Sequence, residues 1–347
     1  MDIALAGAQD ATQGFYVHLF SCSHDGDLYW QLYLDWLLLV LFSGVVAAAE
    51  ASRVVLHRCC SSEQCVLTAP QVAHNSLVAI NAHSHPRIEI GAYRDSISWD
   101  DGRWVGLIHL NHEQPWQQTP TAGHPGNMYD DLSSDYEGWS KVWRNYYFSP
   151  LTPTSTYLPL GPTYLRMYRS PATWEMTLAS ERSRLCHFQG RASGVDEREK
   201  LQSIIKKGDI PCTFEVSIDD SRDRFITTLR DTAFTLCPGG NSPETFRLWE
   251  SLEAGSIPVS FLPLDAARNF FTQLGPDCPL PFLEDPQELD EFLQSFKGKE
   301  GKAKMDELQQ DTQQWYRAYL LEVAKAVSVG WGGVVEDPSN FQRLGRN

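Results

Sequence analysis

The amino-acid sequence predicts an α/β fold with two cores. Short runs rich in valine and isoleucine, bounded by polar residues, occur at 52–59, 75–83 and 103–110 and indicate buried strands of an open sheet. A second series of alternating strand and helix patterns begins at residue 184. With 347 residues the chain is long enough for two domains, because single domains commonly hold about 100 to 200 residues.

The first series follows an apolar run at 36–49, WLLLVLFSGVVAAA, which acidic residues flank on both sides. It is shorter than the roughly 20 residues that a membrane span requires. A buried helix is one interpretation and a degraded signal-anchor is the other, so membrane association stays open. The proline-rich segment 149–171 separates the two series and is typical of a linker or crossover.

The second series predicts strands at 184–190, 213–217, 233–238 and 257–261. Helical patterns occupy 195–207 and 221–231, and another lies between the last two strands. Apolar spacing of 3.6 residues predicts further helices at 286–296 and 305–327.

Charge and cysteine content narrow the possible ligands. The formal net charge of -15 argues against nucleic acid, because long phosphate backbones are bound by clustered lysine and arginine. A small anion such as a nucleotide diphosphate needs only one or two arginines and some backbone N–H groups.

Three of the 8 cysteines cluster as CC-x4-C, without the paired CxxC spacing of zinc sites, so no metal is predicted. The cysteines are either reduced or disulfide-bonded.

One stretch, CPGGNSPETFRLWESLEAGSIPV at 237–259, combines a strand end, a glycine turn, an amphipathic helix and a second strand. Ser242 is the predicted N-cap of the helix and Pro243 its first residue. Gly255 suits the left-handed position that ends a helix. A glycine turn at a helix start offers N–H groups to a phosphate, and Arg247 lies one turn further on.

Glu250 follows Arg247 on the same helix face, where it can accept hydrogen bonds from ribose hydroxyls. The alternative is an ordinary ion pair between Arg247 and Glu250 on a solvated helix, worth a few tenths of a kcal/mol. The spacing of these two residues alone leaves both interpretations open.

The stretch FTLCPGGNSPETFRLWESLEAGSIPV resembles the donor-binding signature of exostosin-type glycosyltransferases, and N-x-P-E-T-F-R is similar to the ribitol xylosyltransferase branch. Other segments resemble that family in the same order, from residue 103 to residue 321. They are LIHLNHEQPW, VWRNYY, LPLG, RLCHFQGRASGVDEREKL and QQWYRAYL.

The resemblance implies a GT-B architecture, in which two Rossmann-like domains face a cleft and C-terminal helices close the fold. It divides the chain into an unassigned N-terminal segment with an apolar helix (1–50) and an acceptor-side α/β domain (51–170). A nucleotide-sugar-binding α/β domain with its closing helices follows (171–335). The matching positions imply these donor-binding residues: Gly190, Arg191, Arg198, Gly239, Gly240, Glu244, Thr245, Arg247 and Glu250.

The acceptor side is predicted at the end of the strand 103–110 and in the RNYY element. His109 follows from the strand end, because ligands bind beyond the carboxyl ends of parallel strands. The resemblance adds Arg144 as a cleft residue and Tyr146 as a sugar-stacking platform, with burial in the core as the alternative for the tyrosine.

As a member of this family the chain is expected to transfer a sugar from a UDP-sugar to a glycan hydroxyl, by an inverting and metal-independent reaction without a cofactor. UDP-xylose is the donor that the nearest branch suggests. Glu113 is the predicted base, and a residue that only orients its loop is the alternative for it. His112 or His109 is the second candidate for the base, and His112 stands where the family has aspartate.

Two alternatives accompany this expectation. A non-catalytic sugar-nucleotide or glycan-binding module of the same fold is the rival function, because the family's aspartate is replaced. A P-loop phosphotransferase and a serine hydrolase are disfavoured, because the sequence contains neither G-x-x-x-x-G-K-[ST] nor G-x-S-x-G. The resemblance implies the Golgi lumen, and a soluble intracellular protein is the alternative location.

Overall fold

The computed structural model describes the following residues: 15–21, 52–58, 76–81, 90–91, 94–95, 97, 105–110, 133–145, 155–162, 176–191, 196–208, 210–216, 222–240, 244–262, 270–271, 273–275 and 277–329. Within these residues the chain forms two parallel β-sheets and associated helices. The predicted α/β class with two Rossmann-like sheets is therefore confirmed.

The first sheet contains six strands in the order β2-β1-β3-β4-β5-β6, and all of its strand pairs are parallel. Its strands are β1 (Phe15–Ser21), β2 (Ser52–Arg58), β3 (Ser76–Asn81), β4 (Val105–Leu110), β5 (Lys141–Arg144) and β6 (Ser155–Tyr157). A short helix, α1 (Ser133–Tyr136), precedes β5. Strand β1 comes from the segment that the sequence left unassigned, and it pairs with both β2 and β3.

Strand β6 lies inside the proline-rich segment that was interpreted as a linker. Pro153 and Pro159 flank the strand but do not interrupt it. At the edge of a sheet one side of a strand needs no partner, so nearby prolines are tolerated there. The chain therefore adds an edge strand before it crosses to the second sheet.

The second sheet has the order β11-β10-β9-β7-β8 and is also parallel throughout. Its strands are β7 (Arg184–Gln189), β8 (Cys212–Glu215), β9 (Thr232–Pro238), β10 (Ile257–Phe261) and β11 (Phe282–Leu283). The helices are α2 (Asp196–Lys207), α3 (Arg222–Arg230), α4 (Phe246–Glu253), α5 (Leu289–Gln294) and α6 (Gly298–Val329).

The strand order reverses once in each sheet. In the second sheet, β7 leads to β8 on one side, and the chain then returns to place β9 on the other side of β7. Open parallel sheets bind ligands beyond the carboxyl ends of the strands at such a switch point. The switch point of the second sheet therefore lies between the ends of β7 and β9.

Apolar side chains fill both faces of the second sheet. On one face, Leu201 of α2 and Leu289 of α5 pack with Phe188, Phe234 and neighbouring residues. The other face is covered by α4, whose Leu248, Trp249 and Leu252 share a core with residues from β6 and α6. These three residues form the apolar face of the amphipathic helix that the sequence predicts.

Helix α6 also binds α4 through polar contacts. Nε2 of Gln309 donates to the carbonyl of Gly255 at 2.7 Å, and Nε2 of Gln313 donates to the carbonyl of Leu252 at 3.0 Å. Tyr316 donates to Oε1 of Glu253 at 2.8 Å. Helix α6 therefore supplies donors to the carbonyl of Leu252, in the last turn of α4, and to that of Gly255, just beyond the helix.

The predicted start of α4 is wrong, whereas its predicted end is confirmed. The helix begins at Phe246, after an extended Thr245 at the N-cap (φ -132°, ψ 156°), and not at Pro243. The side chain of Glu244 accepts hydrogen bonds from Tyr157 and Leu160 outside the helix and from Trp249 within it, which fixes Glu244 ahead of the first helical turn. Gly255 adopts φ 71°, and Ser256 N–H donates to the carbonyl of Ser251 at 2.9 Å.

Within the described part of the chain, no helix is long and apolar enough to cross a membrane. The apolar run 36–49 lies outside the described residues.

Candidate functional site

The switch point of the second sheet brings together two loops that carry predicted donor-binding residues. Gly190 and Arg191 follow β7, whereas Gly239 and Gly240 follow β9. Arg198 of α2 joins these loops, because its Nε donates to the carbonyl of Gly239 at 3.2 Å and its Nη1 to the carbonyl of Arg191 at 3.0 Å. A positively charged guanidinium is thus fixed where a parallel sheet binds ligands.

Arg247, in the first turn of α4, adds a second guanidinium at the end of β7. Its Cζ lies 4.6 Å from the centre of the Phe188 ring, which stacks on Phe214 at 4.4 Å. A cation over an aromatic face is attracted by about 0.5 to 2 kcal/mol, depending on its exposure to water. The aromatic pair therefore holds the Arg247 side chain against β7.

Gly190 provides the space that this arrangement requires. A Cβ atom at this position would collide with Nη2 of Arg247, and the glycine adopts φ 152°, which is unfavourable for other residues. The glycine after β7 is therefore needed both for the backbone conformation and for the approach of the guanidinium.

Glu250 is almost completely buried, with 4% of its surface exposed. The helix face that carries Glu250 is therefore not solvated, and the roles of Arg247 and Glu250 stay predictions.

Cys237, at the end of β9, is also buried. Burial raises the pKa of its thiol to about 12 against the opposing charge of Arg247, so the thiol stays protonated at neutral pH.

His187 on β7 is also neutral in this region. Its Nδ1 lies 2.6 Å from Oγ1 of Thr213, and the side chain is buried. Burial lowers the pKa of His187, and the charge of Glu215 opposes that shift. His187 was not predicted as a site residue, because an isolated histidine in a strand is usually part of the core.

Glu244 contacts the first sheet and the segment that follows it. Its Oε2 accepts hydrogen bonds from the hydroxyl of Tyr157, from Leu160 N–H at 3.3 Å and from Nε1 of Trp249 at 3.0 Å. Glu244 is 1% exposed. The carboxylate thus ties the start of α4 to β6 and to the segment after it.

The first sheet brings two predicted acceptor-side residues together at its carboxyl end. His109 of β4 and Arg144 of β5 are directly paired in the register of the sheet, and both are buried. Nδ1 of His109 lies 2.7 Å from the hydroxyl of Tyr136 in α1. Burial raises the pKa of Tyr136, and burial lowers the pKa of Arg144, which is hydrogen-bonded to that tyrosine.

Tyr136 was not predicted, because nothing in its local sequence relates it to a histidine 27 positions earlier. Three predicted residues, His112, Glu113 and Tyr146, lie outside the described residues. No group of three or more His, Cys, Asp or Glu side chains within the described residues could hold a metal ion, and independence from metal stays a prediction.

The sequence did not decide whether the cysteines are reduced or disulfide-bonded, and the structure contains a disulfide bond in the second sheet. Cys186 of β7 and Cys212 of β8 are register partners with Cα atoms 4.7 Å apart, and their sulfur atoms are bonded. The bond joins the first two strands of the second sheet. The stretch of chain that it closes, residues 186–212, contains Arg191 and Arg198.

Comparison with known proteins shows what the C-terminal part of the chain is similar to. Residues 165–329 match the family model described as the RXYLT1 C-terminal domain. This part of the chain is therefore similar to the C-terminal domain of ribitol xylosyltransferases. The resemblance in the sequence to this branch of the exostosin type is therefore confirmed for this domain.

Curated relatives agree with this assignment. The human (Homo sapiens) ribitol-5-phosphate xylosyltransferase 1 is 31% identical over 136 residues, which cover 36% of this chain and 30% of the relative. The Danio rerio protein of the same name is 24% identical over 181 residues, which cover 48% of this chain and 42% of the relative. The matched segments thus span less than half the length of either relative.

Among solved structures, an alpha-glucosyltransferase in complex with UDP and a 13-mer DNA is similar with a TM-score of 0.49 and 10% sequence identity. The match covers 91% of this chain and 99% of that chain.

Proposed function

We propose that the chain is a glycosyltransferase that moves a sugar from a UDP-sugar to a hydroxyl of a glycan. The observation that carries this proposal is the position of two arginines, Arg198 and Arg247, at the switch point of the second sheet. A nucleotide diphosphate needs positive charge and accessible N–H groups at such a place. The family of residues 165–329 supports the same function.

The donor diphosphate would bind between the loops after β7 and β9. Arg191 and Arg247 would contact its oxygens, whereas Arg198 would hold the loops in place through the carbonyls that it already binds. Gly239 and Gly240 would offer backbone N–H groups. The same positive groups stabilise the charge that develops on the departing UDP, which removes the need for a metal ion.

The nucleoside would lie along α4. Glu250 would accept hydrogen bonds from the ribose hydroxyls. Thr245 occupies the N-cap position, and its side chain makes no capping hydrogen bond. The resemblance implies a donor contact for Glu244, and the hydrogen bonds to its Oε2 from Tyr157, Leu160 and Trp249 would also let it orient the start of the helix.

The transfer step would be an inverting displacement. The acceptor hydroxyl attacks the anomeric carbon, the bond from that carbon to the diphosphate breaks, and a base takes the hydroxyl proton. We propose Glu113 as the base, from the segment that follows β4. Because the relatives are ribitol-5-phosphate xylosyltransferases, UDP-xylose is the first donor to test and a ribitol phosphate glycan the first acceptor.

The disulfide bond supports a location in the secretory pathway. Disulfides persist in oxidising compartments and are rare in the cytosol. The bond between Cys186 and Cys212 is thus expected in a luminal protein, and we propose the Golgi lumen.

The test is a thermal shift experiment with UDP and a panel of UDP-sugars. A ligand that binds only the folded state at 100 times its Kd stabilises it by about 2.7 kcal/mol, which raises Tm by on the order of 5 °C. Arg247→Ala and Glu250→Ala are expected to weaken UDP binding by about 10- to 100-fold, because each loses a charged hydrogen-bonding group. Arg317→Ala, an exposed arginine on α6, is the matched control.

The outcomes separate the alternatives. A shift that both site variants lose and the control keeps would establish the donor site, and the most effective sugar would identify the activity to assay. If no nucleotide raised Tm, the proposed function would be abandoned in favour of a binding module that lacks a nucleotide-sugar donor.

Substitution of Gly190 tests the same site from the opposite loop. Gly190→Ala is expected to displace Arg247 and to weaken UDP binding about tenfold, which corresponds to the loss of one charged hydrogen bond of about 1.4 kcal/mol. Isothermal titration with UDP measures this loss. The control is Gly91→Ala, whose added methyl group would lie 3.7 Å from Asp135 without steric conflict. Equal UDP affinity in the two variants would show that Arg247 does not bind the donor.

A further inference from the structure

The buried side chains at the carboxyl end of the first sheet form a connected chain of hydrogen bonds. Arg144 is hydrogen-bonded to the hydroxyl of Tyr136, and this hydroxyl lies 2.7 Å from Nδ1 of His109. The two rings meet edge to face, with centres 5.9 Å apart. The side chains have at most 4% of their surface exposed, so water does not compete for these contacts.

The donors and acceptors in this chain fix where each hydrogen lies. A guanidinium carries only donors, so the oxygen of Tyr136 must accept from Arg144. The phenol hydrogen then needs an acceptor, because a buried O–H without one costs about 1 to 3 kcal/mol. Among the described residues, Nδ1 of His109 is the acceptor within reach of this hydrogen. Nδ1 must therefore carry a lone pair.

We propose that Tyr136, held by Arg144, is a positioning residue that donates to Nδ1 of His109 and makes Nε2 of His109 a fixed hydrogen-bond donor. A neutral imidazole has one N–H and one bare nitrogen, so a bare Nδ1 places the proton on Nε2. Burial supports this arrangement, because it raises the pKa of Tyr136 and keeps the phenol hydrogen in place.

This arrangement decides which role His109 can take in the transfer reaction. A general base needs a lone pair that faces the acceptor hydroxyl, and Nε2 has none while it is protonated. His109 would instead donate to a hydroxyl oxygen of the acceptor sugar beyond the end of β4. This part of the inference rests on the proposed function, whereas the position of the proton does not.

The experiment is ¹⁵N NMR of the intact chain labelled in its histidine rings, near neutral pH. Protonated and bare imidazole nitrogens have well-separated shifts, and His109→Gln assigns the signals by their loss. We expect Nδ1 of His109 to be bare and hydrogen-bonded and Nε2 to be protonated. Tyr136→Phe should move the Nδ1 signal to that of a bare nitrogen without a hydrogen bond. Tyr316→Phe, a buried tyrosine bonded to Glu253, should leave it unchanged.

Two results would overturn the proposal: a protonated Nδ1 in the unmodified chain, or an Nδ1 signal that Tyr136→Phe does not move. The first needs no variant and is independent of any loss of folding. In a transfer assay, Tyr136→Phe should lower kcat/KM about tenfold and leave the UDP-dependent thermal shift intact. An unchanged kcat/KM would show that the orientation of His109 by Tyr136 does not contribute to the reaction. If UDP did not raise the Tm of the unmodified chain, only the proposed function would be refuted.

Discussion

Glu244→Ala is expected to lower the free energy of unfolding by about 3 to 5 kcal/mol, because each buried donor that loses its acceptor costs about 1 to 3 kcal/mol. The substitution leaves the hydroxyl of Tyr157, Leu160 N–H and Nε1 of Trp249 without their shared acceptor in a buried place. Urea titration followed by circular dichroism measures the loss. Tyr157→Phe removes only one of the three donors and should cost about 1 kcal/mol.

A matched control is available on the surface of α6. Glu322 is 69% exposed and forms an ion pair with Lys325 at 2.7 Å, so Glu322→Ala should change stability by less than about 1 kcal/mol. If Glu244→Ala cost no more than Glu322→Ala, the carboxylate would not be the structural link between the start of α4 and β6.

Loss of the disulfide is the second large effect. Cys186 and Cys212 are 26 positions apart, and a closed loop of that length stabilises the folded chain by roughly 3.5 kcal/mol through the entropy of the unfolded state. The double variant Cys186→Ala/Cys212→Ala is expected to lose that amount in a urea titration. Without the bond, the loop that carries Arg191 and Arg198 is held by hydrogen bonds and packing alone.

Reductant provides an independent comparison for the disulfide. In reductant, the unmodified chain should approach the stability of the double variant measured under the same reducing conditions. Cys278→Ala, which changes a free and partly buried thiol, should retain sensitivity to reductant. If the free energy of unfolding of the unmodified chain were the same with and without reductant, the two cysteines would not be bonded in solution.

Much of the second sheet could be predicted from the sequence, because its strands and helices carry local patterns. The run AFTLCP is apolar enough to identify β9, and Gly255 marked the end of α4 through its need for a positive φ. The glycines after β7 and β9 indicated the loops of the candidate site for a different reason. A ligand or side chain that approaches the backbone closely leaves no room for a Cβ atom.

The remaining features depend on residues that are distant in sequence. The start of α4 was misplaced because Glu244 is 1% exposed and bonded to Tyr157, 87 positions away, and local capping preferences contain no information about that contact. Tyr136 and His187 were missed for the same reason. The pairing of Cys186 with Cys212 follows from strand register, which eight cysteines in a sequence cannot specify.

The hydrogen bonds from α6 to the end of α4 affect how the chain can fold during synthesis. The strands of the second sheet and α4 leave the ribosome before the residues of α6 that bind them, Gln309, Gln313 and Tyr316. At typical rates of translation, Trp249 and its apolar neighbours wait on the order of seconds for the helix that covers them. The nascent second sheet is therefore an incomplete core with an exposed apolar surface, the kind of surface that chaperones recognise, until α6 has been synthesised.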